Sequence, residues 1–245
     1  MKIQPIMMAP QLNLTDIRDQ YIARVVQGKT FAEVGGLWGT VSEKVSVAKQ
    51  FGATELTMID AASMTEHQYL WQAFHDRMVS LNIDKYHCLS LDICDIQIEE
   101  IGKPYDVVHC AGVLYHHPHP MQMLVALRKI TGQYLVLTSA ITQEVIENEK
   151  GRYQIPPSGV MFVPALSESE REILTVYWEQ FMIKERGMAV MGITQPADYN
   201  LDDFAPWWWL PTAHALRSMC EVAGFKVLDN GLTWHNNALS LLLSV

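Results

Sequence analysis

Five short apolar runs, each followed by turn residues or a stretch with helical spacing, constrain this chain more than any other feature of its sequence. They are "TFAEVG" (30–35), "ELTMID" (55–60), "HCLSLDI" (87–93), "YDVVHCAGV" (105–113) and "QYLVLTS" (133–139). After the first, Thr40 and Glu43 form a capping box ahead of Val41, Val45 and Ala48. After the second, a helix is predicted from about Thr65, with Leu70, Trp71, Phe74, Met78 and Leu81 on one broad face. Pro120 opens another helix carrying Leu124, Leu127 and Ile130, with Gly132 as its stop. Strands alternating with helices imply parallel neighbours joined by crossovers, hence a sheet covered on both faces.

The alternation breaks after Ser139. Between residues 140 and 210 come polar loops, a helix opened by Ser167 and Glu170 with Leu174, Tyr177, Trp178 and Phe181 on a face, and "APWWWLP". Order resumes at Pro211, read as the first residue of a helix with Leu216, Met219, Cys220 and Ala223 in register and Gly224 as its stop. The runs "FKVLDNG" (225–231) and "ALSLLLSV" (238–245) lie too close for a crossover and must pair antiparallel. The expectation is a Rossmann-like, doubly wound α/β fold with seven strands, mostly parallel with a C-terminal antiparallel strand, in three αβα layers. Residues 30–140 and 211–245 form the core, residues 1–29 carry a capping helix over 14–27, and residues 141–210 are an insertion over the substrate.

Composition narrows the function. Lys and Arg total 18 against 27 Asp and Glu, a net charge of -9 that repels a phosphate backbone, so nucleic acid is disfavoured as a partner. The four cysteines contain no CxxC pair, and Pro5 and Pro10 interrupt the apolar residues of the first ten, so no signal peptide is expected and the cytoplasm is the expected compartment. No apolar run reaches the length of about 20 residues needed to cross a bilayer.

Open α/β sheets bind ligands at the carboxyl ends of their strands. Here the first strand runs into "EVGGLWGT", where Gly35, Gly36 and Gly39 let the backbone approach a ligand. Asp60, followed by Ala61, closes the second strand, where an acid takes ribose hydroxyls, and Asp92 closes the third. Three acids at adjacent strand ends, Glu33, Asp60 and Asp92, suit a nucleoside carrying positive charge rather than a pyrophosphate.

In their order and spacing these motifs resemble those of class I S-adenosylmethionine-dependent methyltransferases, over residues 30–139 and 211–245. The resemblance implies S-adenosylmethionine as cofactor. It places Glu33, Gly35 and Gly39 around the methionine moiety, Asp60 at the ribose, Asp92 and Ile93 at adenine, and Cys110, Ala111 and Gly112 beside the methionine. One departure stands out: the family's middle glycine is Leu37 here. The segment "GVLYH" also resembles enzymes that modify the wobble uridine of transfer RNA by carboxymethyl transfer, although the basic, aromatic segment those enzymes carry upstream is not evident.

The stretch "YHHPHP" (115–120) raises a metal reading, but adjacent His116 and His117 diverge in an extended chain, and Pro118 and Pro120 prevent a continuous helix. By the resemblance, Tyr115 and His116 lie next to the transferable methyl, to orient or deprotonate an acceptor. His117 and His119 are read as loop or cap residues. Trp178, Phe181, Trp207, Trp208, Trp209 and His214 are candidates for an acceptor pocket, with core filling or a homodimer contact as the alternatives for the aromatics. The reaction expected is methyl transfer to a small, partly apolar molecule. An NAD-dependent oxidoreductase, for which Val34 spoils the GxGxxG turn, and an inactive binding protein of the same fold are the rival readings.

Overall fold

The computed structural model describes residues 15–38, 43–181, 190–201 and 204–245. Leu14, Gly39, Thr40 and Val41, which figure in the reading above, lie outside them. Five strands run in parallel: β1 (Thr30–Val34), β2 (Glu55–Asp60), β3 (His87–Ser90), β4 (Tyr105–Ala111) and β5 (Thr131–Ala140). The chain then forms two small hairpins, from β6 (Val145–Asn148) with β7 (Gly151–Gln154) and from β8 (Val160–Phe162) with β9 (Trp209–Pro211). It returns to the main sheet with β10 (Lys226–Thr233) and β11 (Ala238–Ser244). The seven-stranded order is β10-β11-β5-β4-β1-β2-β3, with β11 antiparallel to both of its neighbours.

Alternate residues of each strand face opposite layers. On β5, Leu135 and Leu137 join Leu124, Leu127 and Leu216 on one face, while Val136 points to the other. The first face is covered by α5 (Pro120–Ile130) and α7 (Ala213–Val222), with Ile101 of the short α4 (Ile98–Ile101) packed against the same core. The second is covered by α1 (Ile17–Val25), α2 (Val45–Gln50) and α3 (Gln68–Ser80), with Ile22, Val45, Phe74 and Met78 buried. On α3, Leu70, Trp71, Phe74 and Met78 are buried as their spacing predicts, but Leu81 stands exposed beyond the last turn. The capping box of Ser167 and Glu170 forms and opens α6 (Glu168–Glu179).

Three boundaries differ from the sequence reading. Gly132 does not stop α5. Thr131 ends that helix by adopting an extended conformation, its hydroxyl bonded to Leu127 O, and Gly132 lies inside β5, where a Cβ would sit 3.1 Å from the Tyr105 carbonyl. Pro211 belongs to β9; Thr212 caps α7 through Ala215 N. Asp92 lies past the end of β3, and its carboxylate accepts from Cys94 N to hold a short 3-10 turn over Ile93–Asp95.

The hairpin tip between β10 and β11 carries Trp234, His235 and Asn236 at φ 50°, 57° and 68°. Left-handed non-glycine residues cost about 1 kcal/mol or more each. Several contacts hold this tip: Asn237 N donates to Trp234 O, Gln143 Nε2 donates to Asn236 O at 2.8 Å, and Phe181 stacks on His235.

Candidate active site

The turn after β1 is built by backbone constraints. Gly35 has φ 76° and its N–H still reaches Ile59 O of β2, while a side chain there would run into Val113 from the loop after β4. Gly36 has no room for a side chain either, since a Cβ would lie 2.7 Å from Glu33 Cδ and 2.8 Å from Met58 Cε. Leu37 needs no glycine geometry. It keeps a negative φ, buries its side chain in the core with Val45 and Met58, and gives its N–H to Asp60 Oδ2 at 3.1 Å.

Beside this turn, at the carboxyl ends of β1 to β4, opens a cleft of about 670 Å³. Of the residues singled out from sequence, Gly35, Asp60, Ala61, Asp92, Ile93, Gly112 and His116 line it. The Asp60 carboxylate is buried and accepts from Leu37 N and from Ala62 N at 2.9 Å. Burial raises its pKa against those two hydrogen bonds. Asp92 is shifted the opposite way: although half-buried, its carboxyl is lowered by hydrogen bonds from His117 and Cys94.

Glu33, Gly36, Cys110 and Ala111 are not on the cleft wall. Glu33 is 3% exposed and lies under the turn, where its Oε2 accepts from Lys44 N at 2.7 Å and Val45 N at 3.1 Å at the start of α2. His109 Nδ1 lies 3.3 Å from Glu33 Oε1 but out of hydrogen-bond alignment, so both buried ring nitrogens lack a partner among the described residues. Glu33 is thus the anchor of α2. Removing its carboxylate in Glu33→Ala strands two amides, at a cost of about 3 kcal/mol. At about 2–4 °C per kcal/mol for a chain of this size, calorimetry should show melting lowered by about 6–12 °C, with Glu33→Gln falling in between.

The aromatic candidates do not line the cleft. Trp178, Trp207 and Leu210 belong to a satellite core with Tyr115, whose ring centroid is 4.4 Å from that of Trp207. Trp208 is buried and gives its backbone N–H to Tyr115 O; Trp209 stacks on Phe162 and donates Nε1 to Pro118 O. These contacts clamp the loop after β4 from behind. Phe181 packs on Tyr177 and His235. His214 faces a separate groove of about 260 Å³ with Met121, Val160 and Met219. The cleft instead recruits residues not singled out, Trp38, Glu66, His67, Val113 and Phe204 among them, together with His117, a loop or cap residue by the sequence reading. Trp38, next to Leu37 in the glycine turn, had a sequence signal; Phe204 had none.

His116 Nδ1 lies 3.1 Å from Pro206 O. A carbonyl only accepts, so Nδ1 carries the proton of the neutral ring and Nε2 is the basic nitrogen. Tyr115 is 7% exposed, its hydroxyl has no hydrogen-bond partner among the described residues, and burial pushes its phenol far above the ordinary range, so it stays protonated.

His117 Nε2 lies 3.4 Å from Cys94 Sγ and 3.5 Å from Asp92 Oδ2, which gathers three groups able to ligate a metal. His117 Nδ1, however, accepts from His119 N at 3.0 Å, so the ring proton sits on Nε2 and occupies the position a cation would need. The Cys94 thiol is pushed up to about 12 by burial and by Asp92. Equimolar zinc is expected to leave the melting temperature unchanged; a rise of several degrees would show that the ring gives up this proton to a metal.

Neither a family model nor a curated protein matches the chain. Solved structures do. Magnesium protoporphyrin IX methyltransferase (ChlM) from Synechocystis PCC 6803, with bound SAH, superposes with a TM-score of 0.56 at 14% identity, over 93% of this chain and 81% of that one. The glycopeptide N-methyltransferase MtfA, complexed with S-adenosyl-L-methionine, gives 0.55 at 11% identity over 94% and 92%. A Rhodobacter sphaeroides structure named for Zn-dependent alcohol dehydrogenases gives 0.57 at 11% over 93% and 88%. The fold is that of class I S-adenosylmethionine-dependent methyltransferases.

Proposed function

We propose that the chain is an S-adenosylmethionine-dependent methyltransferase acting on a small, partly apolar molecule. The observation that carries this reading is the meeting of Gly35, Asp60, Asp92, Gly112 and His116 on one cleft at the strand ends. Solved neighbours of the fold hold SAH or S-adenosyl-L-methionine, and the donor set here suits a cation. Asp60, Glu66 and Asp92 line the cleft, and no Lys or Arg does among the described residues. Each Asp60 oxygen is bonded to a single backbone N–H, which leaves lone pairs for two ribose hydroxyls.

When bound, the sulfonium supplies an already activated methyl group. The protein's part is then to hold the acceptor in line at near-contact distance and to keep water out. His116 Nε2 takes the acceptor's proton, oriented by the Pro206 carbonyl, while the protonated Tyr115 hydroxyl donates to the acceptor. Residues 141–210 support this arrangement by packing Trp207 and Trp208 against Tyr115.

Titration calorimetry with S-adenosylmethionine and with NADH tests the reading. Micromolar binding of the first and none of the second is expected; the reverse would establish the oxidoreductase. The net charge of -9 weighs against transfer RNA as acceptor.

A further inference from the structure

The methyl-transfer chemistry uses His116 and Tyr115 but not His117, which lines the donor cleft and is held more firmly than a loop residue needs to be. It is 5% exposed. Its backbone N–H reaches Leu114 O at 3.2 Å, its Nδ1 accepts from His119 N at 3.0 Å, and its ring stacks on Phe204 with centroids 5.3 Å apart and planes inclined by 21°. These contacts fix both the ring and its tautomer, so the Nε2 proton has a set direction. It faces Asp92 Oδ2 at 3.5 Å and Cys94 Sγ at 3.4 Å. A carboxylate is the stronger acceptor of the two, because the Cys94 thiol stays protonated.

Asp92 is thereby aimed from the protein side. Its Oδ1 accepts from Cys94 N at 2.8 Å while Oδ2 faces the imidazole, and a carboxylate with about four lone-pair sites still has capacity for a further donor. Half-burial works to raise its pKa, but the hydrogen bonds from His117 and Cys94 hold it below the ordinary range. At neutral pH it therefore accepts and does not donate. Leu91, Ile93, His117 and Phe204 line the cleft around it, an apolar and aromatic surround that suits a flat ring. A ring that turns an N–H toward Asp92 is bonded; one that turns a carbonyl oxygen there meets a fixed negative charge.

Resting on the methyl-transfer reading, we infer that His117 is a positioning residue for the donor: it holds Asp92 as acceptor for an exocyclic amino group and so selects an aminopurine over an oxopurine base. Phe204 supports it by stacking on the imidazole. Phe204 lies in the same stretch of chain as Pro206, so that stretch steadies His117 through a ring and His116 through a carbonyl.

The test measures binding of S-adenosylhomocysteine and S-inosylhomocysteine, whose bases carry an amino group and a carbonyl oxygen at the same position, to the full chain by titration calorimetry. The parent should favour the adenosyl compound about twentyfold or more. His117→Phe keeps a ring for Phe204 to stack on but has no N–H, and should cut that preference to less than about fivefold through weaker adenosyl binding. His117→Leu takes its place if the phenylalanine variant does not fold. His117→Gln returns an N–H donor and should restore a preference above about tenfold; Asp92→Asn, whose amide can donate to a carbonyl oxygen, should abolish it. A preference that survives loss of the His117 N–H, even with both compounds bound more weakly, would leave His117 a structural role and overturn the inference. So would a parent preference below fivefold, no restoration by His117→Gln, or a preference intact in Asp92→Asn, each with the donor site still standing. Failure of S-adenosylhomocysteine to bind the parent would remove the methyl-transfer reading, and this inference with it.

Discussion

Asp60→Asn is expected to weaken S-adenosylmethionine binding about a hundredfold, close to 3 kcal/mol, the scale of hydrogen bonds made to a charged group. The substitution keeps the shape and one oxygen, but its amide nitrogen can accept neither the backbone N–H of Leu37 or Ala62 nor a ribose hydroxyl. Calorimetry that finds affinity within threefold of the parent would remove Asp60 from the ribose. The pH dependence carries a second signature. Burial raises the Asp60 pKa, so donor affinity should begin to fall, on acidification, at a higher pH than for an exposed aspartate. Asp60's own contribution to stability moves the other way. An acid whose folded pKa exceeds its unfolded value binds protons preferentially in the folded state, so its contribution grows as pH drops through the folded pKa. Affinity and this part of the stability should therefore change in opposite directions over the same window.

His116→Ala should lower turnover about a hundredfold on any acceptor the parent methylates, at saturating concentrations of both substrates, with donor affinity changed less than twofold. The ring is oriented by a backbone carbonyl, Pro206 O, which leaves Nε2 as its basic nitrogen. Only an unprotonated Nε2 can take the acceptor's proton. Unchanged turnover would show that the acceptor needs no base and would leave His116 a structural role.

The main sheet was readable because each strand carries its own signal. Leu135, Val136 and Leu137 are all apolar, as a strand covered on both faces must be, and the glycine turn with Asp60 marks the carboxyl end of the first two strands. What escaped depends on contacts distant in sequence or on elements too short for periodicity. Val160–Phe162 and Trp209–Pro211 are strands of three residues, and Pro211 looks like a helix start until its carbonyl is seen accepting from Thr142 N. The pairing of His117 with Asp92 joins two loops from different strand ends. The tryptophan run illustrates a further limit: its aromatic surface is used to brace Tyr115 from behind, and sequence alone does not tell a brace from a pocket wall.

The position of β11 has a consequence for how the chain is made. Among the described strands this one comes last in chain order, yet it lies between β5 and β10 and is the sole main-sheet partner of β10. Until it emerges from the ribosome, β5 presents seven residues of unpaired edge, Tyr134 to Ala140, with Leu135, Val136 and Leu137 among them, the kind of template on which nascent chains join one another. Biogenesis is thus governed by its last step, and a premature stop codon or a frameshift ahead of Ala238 should yield inclusion bodies rather than a trimmed, folded protein.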